Sequence, residues 1–180
     1  GAALAFVAVA GPAAAADPPP TYYPNGPQTN VNQAALAGWT LCYSGPYSDN
    51  NVALYGPGGI IDDLCTGDYL MLAGGRSGDP ILTVLAAAPR VDVLTDTGAP
   101  DNVTTHNANG SEWYFNADWS WGFAGDGDVV SKVPCDTSGA NPELRLCFHA
   151  GSGFTGLYQG FRAGANESLF GSDWTRYIYQ

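Results

Sequence analysis

Neighbouring carboxylates are the residues of this chain with the clearest capacity for chemistry. The candidate pairs are Asp62 with Asp63, Asp126 with Asp128, and Glu112 with Asp118. A glycosidase uses two carboxylates about 5 to 10 Å apart in a sugar-binding cleft. Adjacent aspartates in turns are more often solvated turn formers. We therefore expect no catalytic residue here, and a secreted hydrolase is the least favoured of three functions considered below.

A second use of carboxylates is to bind a hard cation. Asp126-Gly127-Asp128 resembles a piece of a calcium-binding loop, but the full ligand spacing of such a loop is missing. We expect no cofactor, with calcium at Asp126 and Asp128 as the alternative.

The two histidines, His106 and His149, lack the neighbours that chemistry would require. No G-x-S-x-G element provides a nucleophile, and cysteines held in disulfides would not bind zinc. We expect one loop histidine and one strand histidine bonded to the backbone.

Aromatic residues are densest between positions 113 and 123, where Trp113, Trp119 and Trp121 occur. Buried inside a sheet, these side chains are core. Exposed on one face, they would form a platform on which sugar rings stack. We favour the core, and the platform requires at least two of the three tryptophans to be exposed.

The elements that position these residues are predicted to be short strands. The apolar run 69–72 and the run 81–85 predict a hairpin, 90–94 alternates like a strand, and 60–64 is the best place for a helical turn. Many such segments separated by Gly-rich turns predict an all-β domain, a β-sandwich or jelly roll.

Four cysteines, Cys42, Cys65, Cys135 and Cys147, indicate two disulfides and an oxidising compartment. Their spacing favours the sequential pairs Cys42–Cys65 and Cys135–Cys147. The other two connectivities stay open at this point.

Charge excludes one large class of partner. The chain has 17 acidic and 6 basic residues, a formal net charge of −11. Phosphate backbones are bound by clustered Lys and Arg, so nucleic acid is excluded. Charged residues make up only 13% of the chain. That share is about half the usual value and is common in secreted proteins and in subunits that pack together.

The N-terminal region divides into two predicted segments. Residues 1–16 have the apolar run and small-residue cleavage site of a signal peptide, and are too short to span a membrane. An apolar arm that docks into a neighbouring subunit is the alternative. Residues 17–35 are Pro-rich and predict a linker, so the sandwich domain is expected over 36–180.

Several segments together resemble a family of exported bacterial proteins with no assigned function. They are GWTLCY at 38–43, DYLMLA at 68–73, HNANG at 106–110, SWGFA at 120–124, RLC at 145–147 and WTRYIY at 174–179. The resemblance covers residues 38–179. It implies export and one β-rich domain, and it implies no activity and no catalytic residue.

The sequence therefore favours a secreted or cell-surface, non-enzymatic structural protein that associates with copies of itself. A filament subunit whose N-terminal arm pairs with a neighbour's sheet would fit this description. The alternative is a carbohydrate-binding module that uses the exposed aromatic residues, with a glycan as its partner.

Overall fold

The computed structural model describes residues 16–99, 101–133, 135–151 and 156–180, and these residues form two antiparallel β-sheets. The strands are β1 (Gln28–Asn32), β2 (Leu41–Pro46), β3 (Val52–Ala53), β4 (Tyr69–Arg76), β5 (Ile81–Pro89), β6 (His106–Ala108), β7 (Ser111–Asn116), β8 (Ser120–Gly125), β9 (Leu146–Ala150), β10 (Gly156–Ala163) and β11 (Trp174–Tyr179). The predicted all-β, sandwich-like fold is confirmed.

The first sheet has five strands in the order β1-β5-β4-β11-β2, and the second has six in the order β3-β10-β9-β8-β7-β6. The hairpin expected from the runs 69–72 and 81–85 is the β4–β5 pair, in which Leu72 lies opposite Ala86. The chain crosses between the sheets several times, so neither sheet is built from one continuous stretch of sequence.

The main core lies between the two sheets. Leu70, Leu72 and Ile178 point inward from the first sheet, and Trp121 and Phe148 point inward from the second. Aromatic rings from neighbouring strands of the second sheet meet edge to face in this layer, with Trp121 5.5 Å from Phe115 and 6.3 Å from Phe148 between ring centroids. Such contacts add stabilisation beyond the burial of apolar area.

The outer face of the first sheet is also apolar, and the N-terminal segment covers it. Met71, Leu85 and Tyr177 are buried there beneath Tyr22 and Trp39. The indole Nε1 of Trp39 donates to the Tyr22 carbonyl, and Tyr22 N donates to the Ala37 carbonyl. The segment therefore belongs to the folded domain.

This arrangement differs from the linker expected over 17–35. Strand β1 lies inside that range and pairs with β5, Gln28 opposite Leu85. The domain thus begins before residue 36, because Tyr22, Tyr23 and Val31 bury apolar area on the sheet. The proposed signal segment 1–16 falls almost wholly outside the described residues.

The segment 126–144, apart from residue 134, covers the outer face of the second sheet. Val130 and Cys135 pack there against Tyr114 and Cys147. The Tyr114 ring lies across Gly122, where a Cβ would collide with it, and the Tyr114 hydroxyl donates to the Leu146 carbonyl at 2.7 Å. Glycine at position 122 is therefore required by this close approach.

The predictions for residues 60–64 and 90–94 had different outcomes. The predicted helical turn forms over Ile60–Leu64, whereas the predicted strand over 90–94 is wrong. Arg90–Val93 forms a helical turn, since Leu94 N donates to the Arg90 carbonyl and the Arg90 guanidinium binds the Ile61 and Cys65 carbonyls. In the part of the chain described, no helix has the length and apolar character needed to cross a membrane.

Candidate functional site

The tryptophans that could have formed a sugar-binding platform lie mainly in the core. Trp113 and Trp121 are 0% exposed, on β7 and β8, while Trp119 is partly exposed in the turn between them. Trp121 donates its indole N–H to the Val93 carbonyl at 3.2 Å. The platform required two exposed tryptophans, and that condition is not met.

The two aspartates considered for calcium have separate partners. Asp126 accepts a hydrogen bond from Asn107 at 2.6 Å, whereas Asp128 accepts from Asn141 and lies 3.6 Å from Arg145. Within the described residues no group of three or more His, Cys, Asp or Glu side chains is placed to hold a metal ion. The calcium alternative therefore lacks a ligand set there.

Asp62 and Asp63, another of the candidate pairs, stabilise a loop. Asp62 and Asp63 accept hydrogen bonds from the N–H groups of Gly56 and Gly58, each at 2.8 Å. Asp118, the expected companion of Glu112, is exposed on the β7–β8 turn.

Glu112 is buried on β7. It accepts hydrogen bonds from Thr105, Asn107 and the Gly127 N–H. Burial by itself would raise the pKa of Glu112, but these hydrogen bonds outweigh it and hold the pKa below its ordinary value.

The histidines lie at different places in the sandwich. His106 Nε2 lies 2.7 Å from Asp92 Oδ1, with side chains 36% and 29% exposed, so β6 is tied to the helical turn Arg90–Val93. His149 Nδ1 lies 3.1 Å from the Gln159 carbonyl on β10. Burial lowers the pKa of His149, and the nearby Arg176 charge acts in the same direction, against the opposing effect of the Gln159 hydrogen bond.

Both disulfides form as the spacing favoured. Cys42 on β2 is joined to Cys65 after the turn Ile60–Leu64, and Cys135 is joined to Cys147 on β9. The first fixes the edge of one sheet, and the second fixes the covering segment 126–144 to the other.

The distribution of positive charge is the main feature that sequence reasoning missed. Lys132, Arg145, Arg162 and Arg176 are almost completely buried, and Arg90 is partly buried, which leaves Arg76 as the exposed cation of the described chain. All acidic side chains except Glu112 and Asp136 reach the surface at least in part. The solvated surface is thus more one-sidedly acidic than the net charge suggests.

Against this acidic surface, the edges of the first sheet are uncharged. Strand β2 has the sequence LCYSGP and β1 has QTNVN. In the described chain β2 pairs with β11 alone, so its other side is a free edge. Leu41, at the start of β2, is 46% exposed, and Leu64, beside the disulfide partner Cys65, is 40% exposed.

The other edges of the two sheets are short or interrupted. The edge strands of the second sheet, β3 and β6, have two and three residues. β1 is interrupted at Asn30, whose φ is +54°, and Asn30 is skipped in the pairing of β1 with β5. Natural proteins protect edges with charges, short strands or irregularities. β2 has six residues and no charge, but its pairing with β11 shifts register at Cys42, and the strand ends at Pro46.

Comparisons with known proteins found no matching family model, no matching curated protein and no matching solved structure.

Proposed function

We propose that this chain is an exported, non-enzymatic structural protein whose copies associate edge to edge through β2. The observation that carries the proposal is the free, uncharged β2 edge on an otherwise acidic molecule. An unprotected edge strand offers unpaired backbone N–H and C=O groups to another strand.

The partner proposed is a second copy of the same chain. Two β2 strands related by a two-fold axis pair antiparallel and join two five-stranded sheets into one. Exposed Leu41 and Leu64 are then partly removed from water. Growth into a filament would use the β1 edge as a second contact.

The N-terminal arm has a different role in this proposal from the one first expected. β1 pairs with β5 of its own chain, and Tyr22 and Trp39 pack on their own sheet. The described part of the arm is thus occupied within one molecule, which leaves β2 as the contact between molecules.

Export is supported by the disulfides. Cys42–Cys65 and Cys135–Cys147 account for all four cysteines of the chain, and such pairs persist in oxidising compartments.

The test is sedimentation velocity over a concentration series, with Leu41→Lys compared against Val91→Lys. Both substitutions replace an exposed apolar side chain by the same charge, but Val91, 76% exposed, lies outside both sheets. We expect the wild type to associate, Leu41→Lys to weaken association about tenfold or more, and Val91→Lys to behave like the wild type. A wild type that stays monomeric throughout would refute the proposal.

Salt provides a second measurement on the same samples. Because the acidic surfaces of two copies repel, screening by added salt should strengthen association through an uncharged edge. Association that weakens as salt is added would instead indicate a contact made by ion pairs, contrary to the β2 assignment.

A further inference from the structure

The backbone nitrogen of Asp17 lies against a carboxylate of the folded domain. Asp17 N donates to Asp68 Oδ2 at 3.2 Å, and both residues are exposed. Asp68 is held in place by its own backbone, because the Arg90 N–H donates to its carbonyl at 2.8 Å. The start of the described chain thus contacts an acidic side chain whose backbone is held by Arg90.

The same nitrogen is the one that signal cleavage would release. The run Ala13 to Ala16 precedes Asp17 and has the small residues that signal peptidases require. Ala16 and Asp17 are exposed and outside regular secondary structure, so the bond between them is accessible. Hydrolysis breaks this bond, with water giving the Ala16 carboxylate and the Asp17 amine, which is protonated near neutral pH.

We propose that processing between Ala16 and Asp17 creates an α-ammonium group that the Asp68 carboxylate binds, so that Asp68 is the receptor for the mature N-terminus. The inference rests on the export part of the proposed function. It turns a hydrogen bond between an amide and a carboxylate into an ion pair between an ammonium and a carboxylate, in which both partners are charged.

The charged groups nearby favour this pairing. The Arg90 guanidinium is turned towards the Ile61 and Cys65 carbonyls and leaves the Asp68 carboxylate to the terminus. Asp68, Tyr69 and Arg90 also line an open groove of about 600 Å³ that Ala16 borders before cleavage.

The test uses protein that begins at Asp17, released from a fusion by a protease that leaves no extra residue. Its α-amine is labelled by ¹³C reductive dimethylation and titrated by NMR, in the wild type, in Asp68→Asn and in Asp118→Asn. Asp118 is an exposed turn aspartate and serves as the matched control.

We expect the pKa of the amine to fall by about half a unit to one unit in Asp68→Asn and to stay unchanged in Asp118→Asn. Equal pKa values in the wild type and Asp68→Asn would overturn the binding of the terminus by Asp68. Mass spectrometry of the exported chain should give Asp17 as its first residue, and a different first residue would overturn the processing site. Neither of these negative results would change the outcome expected for association through β2, so the two proposals are tested independently.

Discussion

Arg145 and Asp136 form an ion pair with 2.7 Å between Nη1 and Oδ2, and both side chains are completely buried. Arg145 also donates to the Val129 and Ala140 carbonyls, while Arg162 donates to the Asp136 and Ser138 carbonyls. These bonds hold the segment 126–144 on the outer face of the second sheet, beside the disulfide Cys135–Cys147. The buried arginines therefore hold this segment against the sheet.

Replacing Arg145 by Met should lower the free energy of unfolding by about 3 to 5 kcal/mol, because Asp136 would be left as a buried charge without its closest partner. Urea denaturation measures the change. Arg76→Met, at an exposed arginine that stacks on Trp174, is the control and should cost less than about 1 kcal/mol. If Arg145→Met lowers the free energy of unfolding no more than Arg76→Met does, the Arg145–Asp136 pair is not essential to the fold.

Lys132 anchors a second irregular segment through the Thr97 and Thr104 carbonyls. Lys132 is only 2% exposed. Its Nζ donates to the Thr97 carbonyl at 3.1 Å and to the Thr104 carbonyl at 2.6 Å. Lys132→Met should lower the free energy of unfolding by about 1 to 3 kcal/mol, since the buried Thr97 carbonyl and the Thr104 carbonyl lose their donor. Hydrogen exchange should also accelerate at 97–105. Unchanged exchange there would contradict the anchoring role.

His149 should make stability depend on pH in the mildly acidic range. Burial lowers the pKa of His149 below its ordinary value of 6.5, so the unfolded chain binds the proton more readily than the folded chain. Stability should therefore fall as the pH drops below 6.5 towards the folded-state pKa. Melting temperature against pH measures this effect, and His149→Gln should flatten the curve in that window. Curves of equal slope for the wild type and His149→Gln would exclude His149 as the cause.

The strands and disulfides could be predicted from the sequence because their signals are local. Runs such as 69–73 are apolar, contain β-forming residues and end in glycine, and 81–88 follows a Gly-Asp-Pro turn. The disulfides join cysteines that are close in sequence, which limits the choices.

The covering of the outer sheet faces could not be predicted, because it depends on contacts between distant segments. β4 and β5 are buried on both faces, so their sequences are continuous apolar runs and give no alternation that would reveal a second covering layer. Tyr22 and Tyr23 lie among prolines and resemble a linker until the sheet beneath them is known.

The burial of the positively charged side chains could not be predicted from the sequence either. Arg162 and Arg176 lie on β10 and β11, and Arg145 directly precedes β9. The sequence does not say which face of the sheet each side chain takes. The partners that make burial tolerable, such as Asp136 and the backbone carbonyls, come from other segments. The acidic surface that results is therefore a property of the fold, as is the free β2 edge.

The N-terminal segment should contribute to stability. Deletion of residues 1–27 keeps β1 but removes Tyr22 and Tyr23, which pack on the cluster that contains Met71 and Tyr177. We expect a lower melting temperature and increased binding of a hydrophobic dye, because apolar sheet surface is exposed. Deletion of residues 1–16 is the control and should change neither property. Equal behaviour of the two deletions would show that 17–27 is only a linker.

The most direct test of the central claim is hydrogen exchange of the β2 amides, residues 41–46, at low and high protein concentration. Association through the β2 edge predicts that exchange at 41–46 slows as concentration rises, while exchange at 106–108 on the short β6 edge stays constant. Exchange at 41–46 that is independent of concentration, in samples that sedimentation shows to be associated, would contradict the β2 contact.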